Sequence, residues 1–247
     1  MKIIISIVAL ALPVMAESLR SANVTAAINE VQVYTGSSQA RSAAVGETLT
    51  IPSSLQTGRK SRAELTFSDK TLTRLGQNSV FSFREGGRNV ELKQGSVLLQ
   101  VPKNAGGATI RTATVNASIT GTTVMFEYSP GSWIKLITLE GTQKLTIIGT
   151  NQTKDLPAGK MIIMHPNAKV IPDPVDVDVR KLVATSPLAG KGIFTPLPPY
   201  AIALIDQTIK GQTEAKHKGD LIPTDHVITG PGHRSVRATT FVPRTDQ

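Results

Sequence analysis

The groups that could support nucleophilic catalysis lie close together only near the C-terminus. Asp225, His226 and His233 precede Ser235, and a hydroxyl, an imidazole base and an orienting carboxylate are the parts of a catalytic triad. The sequence around them is polar, rich in Gly and Pro and weakly patterned, so we expect residues 211–247 to be largely disordered. A disordered segment does not hold three groups in hydrogen-bond geometry, so the sequence does not favour an enzyme.

Paired carboxylates are the second kind of catalytic group to consider, because glycosidases hold two of them about 5 to 9.5 Å apart in a cleft. The acidic residues of the central part of the chain lie in predicted strands or turns: Glu64, Asp69, Glu85, Glu91, Glu127 and Glu140. Charges that alternate along strands are typical of solvated faces. Sequence alone does not show which of them face each other, so a polysaccharide-binding or polysaccharide-modifying protein of the cell envelope is the alternative function.

Metal and cofactor motifs are missing from the sequence. The chain has no Cys, which removes disulfides and thiolate ligands. Its histidines are His165, His217, His226 and His233, and no two of them have the i, i+4 spacing of a helical zinc site. No P-loop or G-x-S-x-G motif occurs either. We therefore expect no metal site and no cofactor.

Two small groups of residues suit binding better than catalysis. Arg59, Lys60 and Arg62 form the densest basic cluster and could steer an acidic protein partner, although they would equally serve to keep the surface soluble. Tyr128 and Trp133 flank a Pro-Gly turn and could form a platform for a sugar or a peptide. Aromatic residues more often fill a core, which we favour for this pair.

The positive charge of the chain is unevenly distributed. The net charge is +9, and residues 17–172 hold 17 Lys and Arg against 10 Asp and Glu. Nucleic-acid binding would require stacking aromatic residues among these cations, but aromatic residues make up only 4% of the chain. We therefore expect no nucleic-acid partner, and an acidic polysaccharide of the envelope is a second class of partner after an envelope protein.

The N-terminus has the pattern of a secretory signal peptide. Lys2 precedes an apolar run of twelve residues, which ends in the small-residue pattern Val14-Met15-Ala16. A run of this length is shorter than the roughly 20 residues that span a bilayer. We therefore expect cleavage after Ala16, export to the periplasm or the extracellular space, and no stable membrane insertion.

Apolar and polar residues alternate in short runs from Ala26 to about Met164, and this pattern predicts β-strands. Runs such as 63–67 and 80–84 alternate with period two and are separated by turn residues. No helical pattern interrupts them, so the fold class is all-β, with about a dozen short strands in a β-solenoid-like stack or a two-sheet roll. The predicted core consists of Leu65, Phe67, Leu72, Leu75, Phe81, Phe83, Leu92, Val97, Leu99, Ile110, Val124, Phe126, Leu136 and Leu145.

Proline marks the end of the predicted β-domain, which covers residues 17–172. Residues 173–210 form an irregular, Pro-rich extension, because Pro disfavours both helix interiors and central strands. Two short helices are predicted within it, at 176–185 and at 200–210. The last predicted segment is the largely disordered tail, residues 211–247.

Several short motifs follow one another between Gly46 and Gly159. The densest part is 61–69, Ser-Arg-Ala-Glu-Leu-Thr-Phe-Ser-Asp, which is followed by Thr71 to Ser79. Further motifs lie at 90–97, 110–112, 119–122, 139–141 and 156–159. Their order resembles that of the FecR domain of bacterial cell-envelope signalling proteins. Ala113 departs from the family, which often has Pro there.

The resemblance implies a fold more than it implies a site, since each matched Gly or Asp can be explained by turn geometry. Relatives typically join a cytoplasmic segment that holds a sigma factor, a membrane span and a periplasmic sensing domain. Only the last of these is expected here. The resemblance therefore implies an exported, non-catalytic recognition or signal-relay module that binds another cell-envelope protein, whose strand could add to an open sheet edge.

Overall fold

The computed structural model describes residues 19–36, 39–83, 88–190 and 192–218. The strands are β1 (Ser21–Ile28), β2 (Val31–Thr35), β3 (Arg41–Ser42), β4 (Thr48–Thr50), β5 (Ser53–Thr57), β6 (Arg62–Phe67), β7 (Leu72–Leu75), β8 (Val80–Phe83), β9 (Asn89–Gln100), β10 (Ala108–Arg111), β11 (Val115–Ile119), β12 (Thr123–Ser129), β13 (Trp133–Glu140), β14 (Thr142–Ile147), β15 (Thr153–Pro157), β16 (Lys160–Met164) and β17 (Val175–Asp176). The helices are α1 (Val179–Thr185) and α2 (Pro199–Lys218).

Continuous hydrogen bonding joins the strands into one 17-stranded system that forms two layers. The central sheet has the order β4-β1-β6-β7-β9-β12-β13-β16-β17, and the outer sheet has the order β3-β2-β5-β8-β9-β10-β11-β14-β15. All pairs are antiparallel except β9 with β10. Of the two predicted arrangements, the structure has the two-sheet one, with more strands than the dozen expected.

Strand β9 belongs to both sheets because it changes layer at Gly95. Its first half pairs with β8 and β10, and its second half pairs with β7 and β12. Gly95 has φ +94°, and a Cβ there would lie 2.4 Å from the Cα of Ser79. Only glycine fits a backbone that both turns and approaches another chain segment this closely.

The main core lies between the two sheets. Phe67 of the central sheet and Phe83 of the outer sheet meet edge to face, with ring centroids 5.2 Å apart. All fourteen residues of the predicted core are buried. Thirteen of them lie in this main core. Leu72 belongs instead to a second apolar cluster on the other face of the central sheet. Alternation therefore predicted burial correctly, although it did not distinguish the two clusters.

The C-terminal extension covers that other face and forms a third layer. Leu98, Ile137 and Met161 of the central sheet pack with Phe194 and Leu197 of the extension. The sheet is consequently buried on both sides, and this explains the near-continuous burial of β7 and of the end of β13. The sequence predicted an irregular extension but not this packing.

Helix α2 is longer than predicted. It reaches Lys218, whereas residues from 211 onward were expected to be disordered. The side chain of Gln212 explains its continuation, because it accepts a hydrogen bond from Val179 N at 3.1 Å and donates one to Val177 O at 2.7 Å. Tertiary contacts thus stabilise a polar helical turn that has a weak pattern of its own.

The short helix predicted at 176–185 is confirmed. It is α1, which begins at Val179, three residues later than predicted. Asp178 is the N-cap of α1 and accepts a hydrogen bond from Lys181 N at 2.9 Å. The predicted signal peptide, 1–16, and the tail beyond Lys218 lie outside the described residues. No helix within the described ranges is long and apolar enough to cross a membrane.

Candidate functional site

A groove of about 450 Å³ lies between the central sheet and the C-terminal end of α1. We call it the α1 groove. Its sheet side includes Arg62, Ser96 and Glu127, and its helix side includes Leu182 and Pro187. The volume falls within the range of roughly 300 to 1,000 Å³ that is typical of ligand sites. The groove is thus large enough to hold a few side chains of a partner.

Strand register explains the shape of the groove. Ser96, Glu127 and Lys135 lie side by side on β9, β12 and β13, and Gly76 N donates to Ser96 O at 2.9 Å. A Cβ at Gly76 would lie 2.0 Å from the Ser96 hydroxyl. Two small residues therefore stand side by side in the middle of the sheet surface and leave a depression beside the larger residues.

One end of the α1 groove carries a hydrogen-bonded ion pair. Lys135 Nζ lies 2.5 Å from Glu127 Oε2, and the indole of Trp133 donates to Glu127 Oε1 at 3.2 Å. The side chains of Glu127 and Lys135 are only 13% and 12% exposed. Partial burial strengthens such a pair relative to one in open solvent, so this end is rigid and nearly neutral.

The predicted basic cluster is divided between two environments. Arg59 and Lys60 are exposed in the turn between β5 and β6, whereas Arg62 is half-buried in β6 and lines the groove. The turn is ordered, since Asn29 Nδ2 donates to Lys60 O at 2.7 Å and Lys60 N donates to Gln77 Oε1 at 3.1 Å. The structure thus brings only Arg62 to the candidate site.

The two aromatic residues proposed as a ligand platform do not act together. Tyr128 is 6% exposed and belongs to the core cluster between the sheets. Trp133 is half-exposed, and its indole is bound to Glu127. Because Trp133 pairs with Ser129 in register, it shares the face opposite to that of Tyr128. The core placement that we favoured applies to Tyr128, although this residue also borders the groove.

Sequence reasoning missed the buried ion pair of Arg74 with Glu64. Arg74 is fully buried, and its Nε donates to Glu64 Oε2 at 2.8 Å. Its two Nη atoms donate to the carbonyls of Leu188 and Thr195 in the extension, and its guanidinium lies 4.9 Å from the ring centroid of Phe194. In the sequence, Arg74 is a charged residue within an alternating strand. Such a residue normally has an exposed side chain, so the pattern did not reveal the buried pair.

The described carboxylates of the β-rich part each have a different partner. Glu64 binds Arg74, Asp69 binds Arg88, Glu91 accepts from Ser82, Glu127 binds Lys135 and Glu140 accepts from Thr123. Glu85 lies outside the described residues. Among the residues that are described, no group of three or more acidic or histidine side chains is placed to hold a metal ion.

Glu140 has the perturbed titration of a buried acid. Burial raises its pKa, and the hydrogen bond from the Thr123 hydroxyl, 2.8 Å long, partly offsets this. Burial also raises the pKa of Tyr200, which bonds to Gln100. An acid with a raised pKa beside a tyrosine can mark a catalytic site, but neither residue lines the α1 groove.

The sheet edges offer little room for an added partner strand. The edge strands are β3, β4, β15 and β17, and the longest of them, β15, has five residues. Its Lys154, Asp155 and Pro157 are residues that typically block edge pairing. Arg62 is distant from such pairing, because β6 bonds to β1 on one side and to β7 on the other. The groove is therefore a better candidate than an edge.

Comparisons with known proteins gave a family match and structural matches. A family model described as FecR protein matches residues 53–142. Two similar crystal structures are each described as a “putative anti-sigma factor” from Parabacteroides distasonis ATCC 8503. One has 15% identity and a TM-score of 0.46, and the match covers 53% of this chain and 62% of that chain. The other has 16% identity and a TM-score of 0.48, with 64% and 75% covered.

The first of these matches thus spans less than two thirds of the neighbour's own length. The search of curated proteins found no significant match. Within this chain, the matched residues run from the first residue of β5 to the first residue of β14. They include the sheet side of the α1 groove, whereas α1 itself lies outside the match.

Proposed function

Since the chain carries a FecR domain at residues 53–142, we propose that it is a non-catalytic recognition or signal-relay module that binds another protein of the cell envelope. The FecR domain is the observation that carries the proposal, because it supports a signalling-related role. Such a role requires a surface that recognises a partner and does not require a reaction. The β-sheet framework supplies a rigid support for that surface.

The arrangement of the acidic residues supports the non-catalytic part of the proposal. An active site usually brings together titratable groups whose pKa values are perturbed by one another. Here Glu64 and Glu127 each form an ion pair with a basic residue on a neighbouring strand. Such pairs stabilise or orient a fold, and they leave neither carboxylate free to act as a general acid or base.

Export is the second part of the proposal and rests on the sequence of residues 1–16. We propose that the signal peptide is cleaved after Ala16 and that the mature chain acts in the periplasm or outside the cell. N-terminal sequencing of the protein from the envelope fraction is expected to begin at Glu17. A cytoplasmic chain that retains Met1 would contradict this part.

Photo-crosslinking in the native host tests the binding role. The full-length chain carries an affinity tag and a photoreactive residue at Thr185, which lies on the helix side of the groove. Crosslinking followed by mass spectrometry should yield one defined envelope protein, and a second photoreactive variant at Lys144 on the outer sheet serves as the control. If neither the Thr185 variant nor the Lys144 variant yields a defined crosslinked protein, the proposed role is overturned.

A further inference from the structure

Arg62 differs from the other basic residues that are buried or half-buried on the sheets. Its guanidinium forms no hydrogen bond or ion pair with any residue that the structure describes. Other cations that are buried or half-buried in or beside the strands have acidic partners: Arg74 with Glu64, Arg88 with Asp69, and Lys135 with Glu127. A partly desolvated charge without a partner is unfavourable, and an anion bound in the groove would compensate it.

The residues next to Arg62 add hydrogen-bond donors of the same kind. Gln77 and Asn78 line the same part of the α1 groove. The side-chain oxygen of Gln77 accepts from Lys60 N, and its amide nitrogen donates to none of the described residues. Arg59 and Lys60 lie in the adjacent turn. Arg62 thus supplies a positive charge at this end of the groove, and Gln77 and Asn78 supply hydrogen-bond donors, as recognition of a carboxylate requires.

The opposite wall of the groove is apolar. Met125 of the sheet and Leu182 and Pro187 of the extension line it. Methionine adapts its shape to different side chains and is frequent at peptide-binding surfaces. A polysaccharide would instead leave these side chains without a matching apolar surface. An apolar side chain adjacent to a carboxylate is thus the chemistry that fits both walls.

We propose that the α1 groove binds a peptide segment of the partner protein, with one carboxylate on Arg62 and a neighbouring apolar side chain against Met125 and Leu182. This inference rests on the proposed function and assigns it a site. Because the sheet side belongs to the FecR domain and the helix side to the extension, both parts of the chain must be present for binding. Arg59 and Lys60 are exposed in the adjacent turn, so their attraction for an acidic segment is screened by salt and weak.

Peptide arrays test the groove without knowledge of the partner. The full-length chain, fluorescently labelled, is applied to nonapeptides with a central Glu and randomised flanks and to the same set with a central Gln. The strongest hits are then titrated against the wild-type protein, Arg62→Gln, Thr185→Trp and the matched control Arg59→Gln. Thr185→Trp adds bulk at the groove without changing charge, and it keeps the test valid if Arg62→Gln destabilises the fold.

The expected result is preferential binding of Glu peptides with an apolar neighbour. Arg62→Gln should weaken their binding by about tenfold or more, because it removes a charge-assisted hydrogen bond. Thr185→Trp should weaken it by about as much, because the indole occupies space in the groove. Arg59→Gln should change it by only about twofold, as is typical of an exposed charge. Equal binding of Glu and Gln peptides, or unchanged binding by both groove variants, would overturn the proposal.

Polygalacturonate, a uronic-acid polymer, is titrated in parallel. If it binds in an Arg62- and Thr185-dependent manner while the peptides do not, the groove recognises polysaccharide and the proposal is wrong. The outcome is separable from that of the crosslinking experiment. One possible result is a partner crosslinked from the outer sheet, with peptide binding unchanged by Arg62→Gln and Thr185→Trp. This result would reject the site and leave the proposed function in place.

Discussion

At the scale of single residues, the buried Arg74 links the central sheet to the extension. Its guanidinium connects Glu64 of β6 with two carbonyls of the extension, and the pair is shielded from solvent. A buried ion pair contributes little relative to apolar residues of the same volume, but breaking it leaves an uncompensated charge. Arg74 is therefore more important for the geometry of the extension than for its net binding energy.

Replacing Arg74 by Met should destabilise the protein by about 3 to 5 kcal/mol, because Glu64 stays buried without a cation. Urea denaturation monitored by Trp133 fluorescence measures the change. The double variant Arg74→Met with Glu64→Leu is the control and should recover part of the loss, since it removes the unpaired carboxylate. A loss below about 1 kcal/mol in the single variant would show that the pair does not stabilise the extension.

Glu140→Gln should stabilise the protein at neutral pH. The pKa of Glu140 is raised in the folded state, so its contribution to stability is fully present below the unfolded pKa of about 4.3 and is lost as pH rises through the folded pKa. Gln keeps the oxygen that accepts from Thr123 but carries no charge. Thermal unfolding should show a higher midpoint than wild type at pH 7 and equal midpoints near pH 3.

A lower midpoint for Glu140→Gln at pH 7 would contradict this expectation. It would mean that the attraction between the ionised Glu140 and Lys103, which lowers the pKa, outweighs the cost of burying the charge. Glu140→Asp serves as a control, since it retains the charge but withdraws it from Thr123.

At the scale of elements, Asp178 connects the two helices of the extension. It caps the N-terminus of α1, and its other oxygen lies 2.7 Å from Lys216 Nζ of α2. Asp178→Ala should cost about 1 kcal/mol through the loss of the cap. Asp178→Asn should cost less, because Asn caps as well as Asp and only the ion pair is lost. Chemical denaturation of the two variants checks the order.

The same residue predicts a pH dependence. The hydrogen bond from Lys216 lowers the pKa of Asp178, and the cap bond adds to this effect. A lowered folded pKa contributes stability above the unfolded pKa of about 3.9, and this stability is lost as pH falls through the folded value. The difference between wild type and Asp178→Asn should therefore be present at pH 7 and absent near pH 2. A difference that persists at pH 2 would exclude the ion pair as its cause.

At the scale of the whole molecule, the central sheet is covered on both faces, by the outer sheet and by the extension. Truncation after Pro172 would expose the apolar cluster that includes Leu98, Ile137 and Met161. Each such side chain contributes about 1.5 to 3 kcal/mol when fully buried. The truncated protein should aggregate or unfold at markedly lower urea concentration, as sedimentation and denaturation measure.

A second truncation, after Lys218, is the matched control for this experiment. It keeps α1, α2 and every contact described for the extension, so its denaturation midpoint should equal that of the full chain. A stable, monomeric protein truncated after Pro172 would instead show that the two sheets fold without the third layer.

The amino-acid sequence determined the elements whose signals are local. Period-two alternation predicted the strands and the buried set from Leu65 to Leu145, because half-buried strands present one face to a core. Motif order predicted the resemblance to the FecR domain, and the family model of that description matches residues 53–142. The helix near 176–185 was predicted from a short segment with acidic residues at its start, and one of these, Asp178, is the N-cap of α1.

Only the tertiary structure decided the features that depend on distant residues. Arg74 and Arg62 both lie in alternating strands, yet one is sealed beneath the extension and the other lines a groove. The difference arises because Leu188 and Thr195 of the extension bind Arg74 directly, whereas the extension leaves a groove beside Arg62. The length of α2 likewise depends on Gln212 contacting the segment before α1. Periodicity records whether a side chain leaves the strand on one face or the other, and it contains no information on what covers that face.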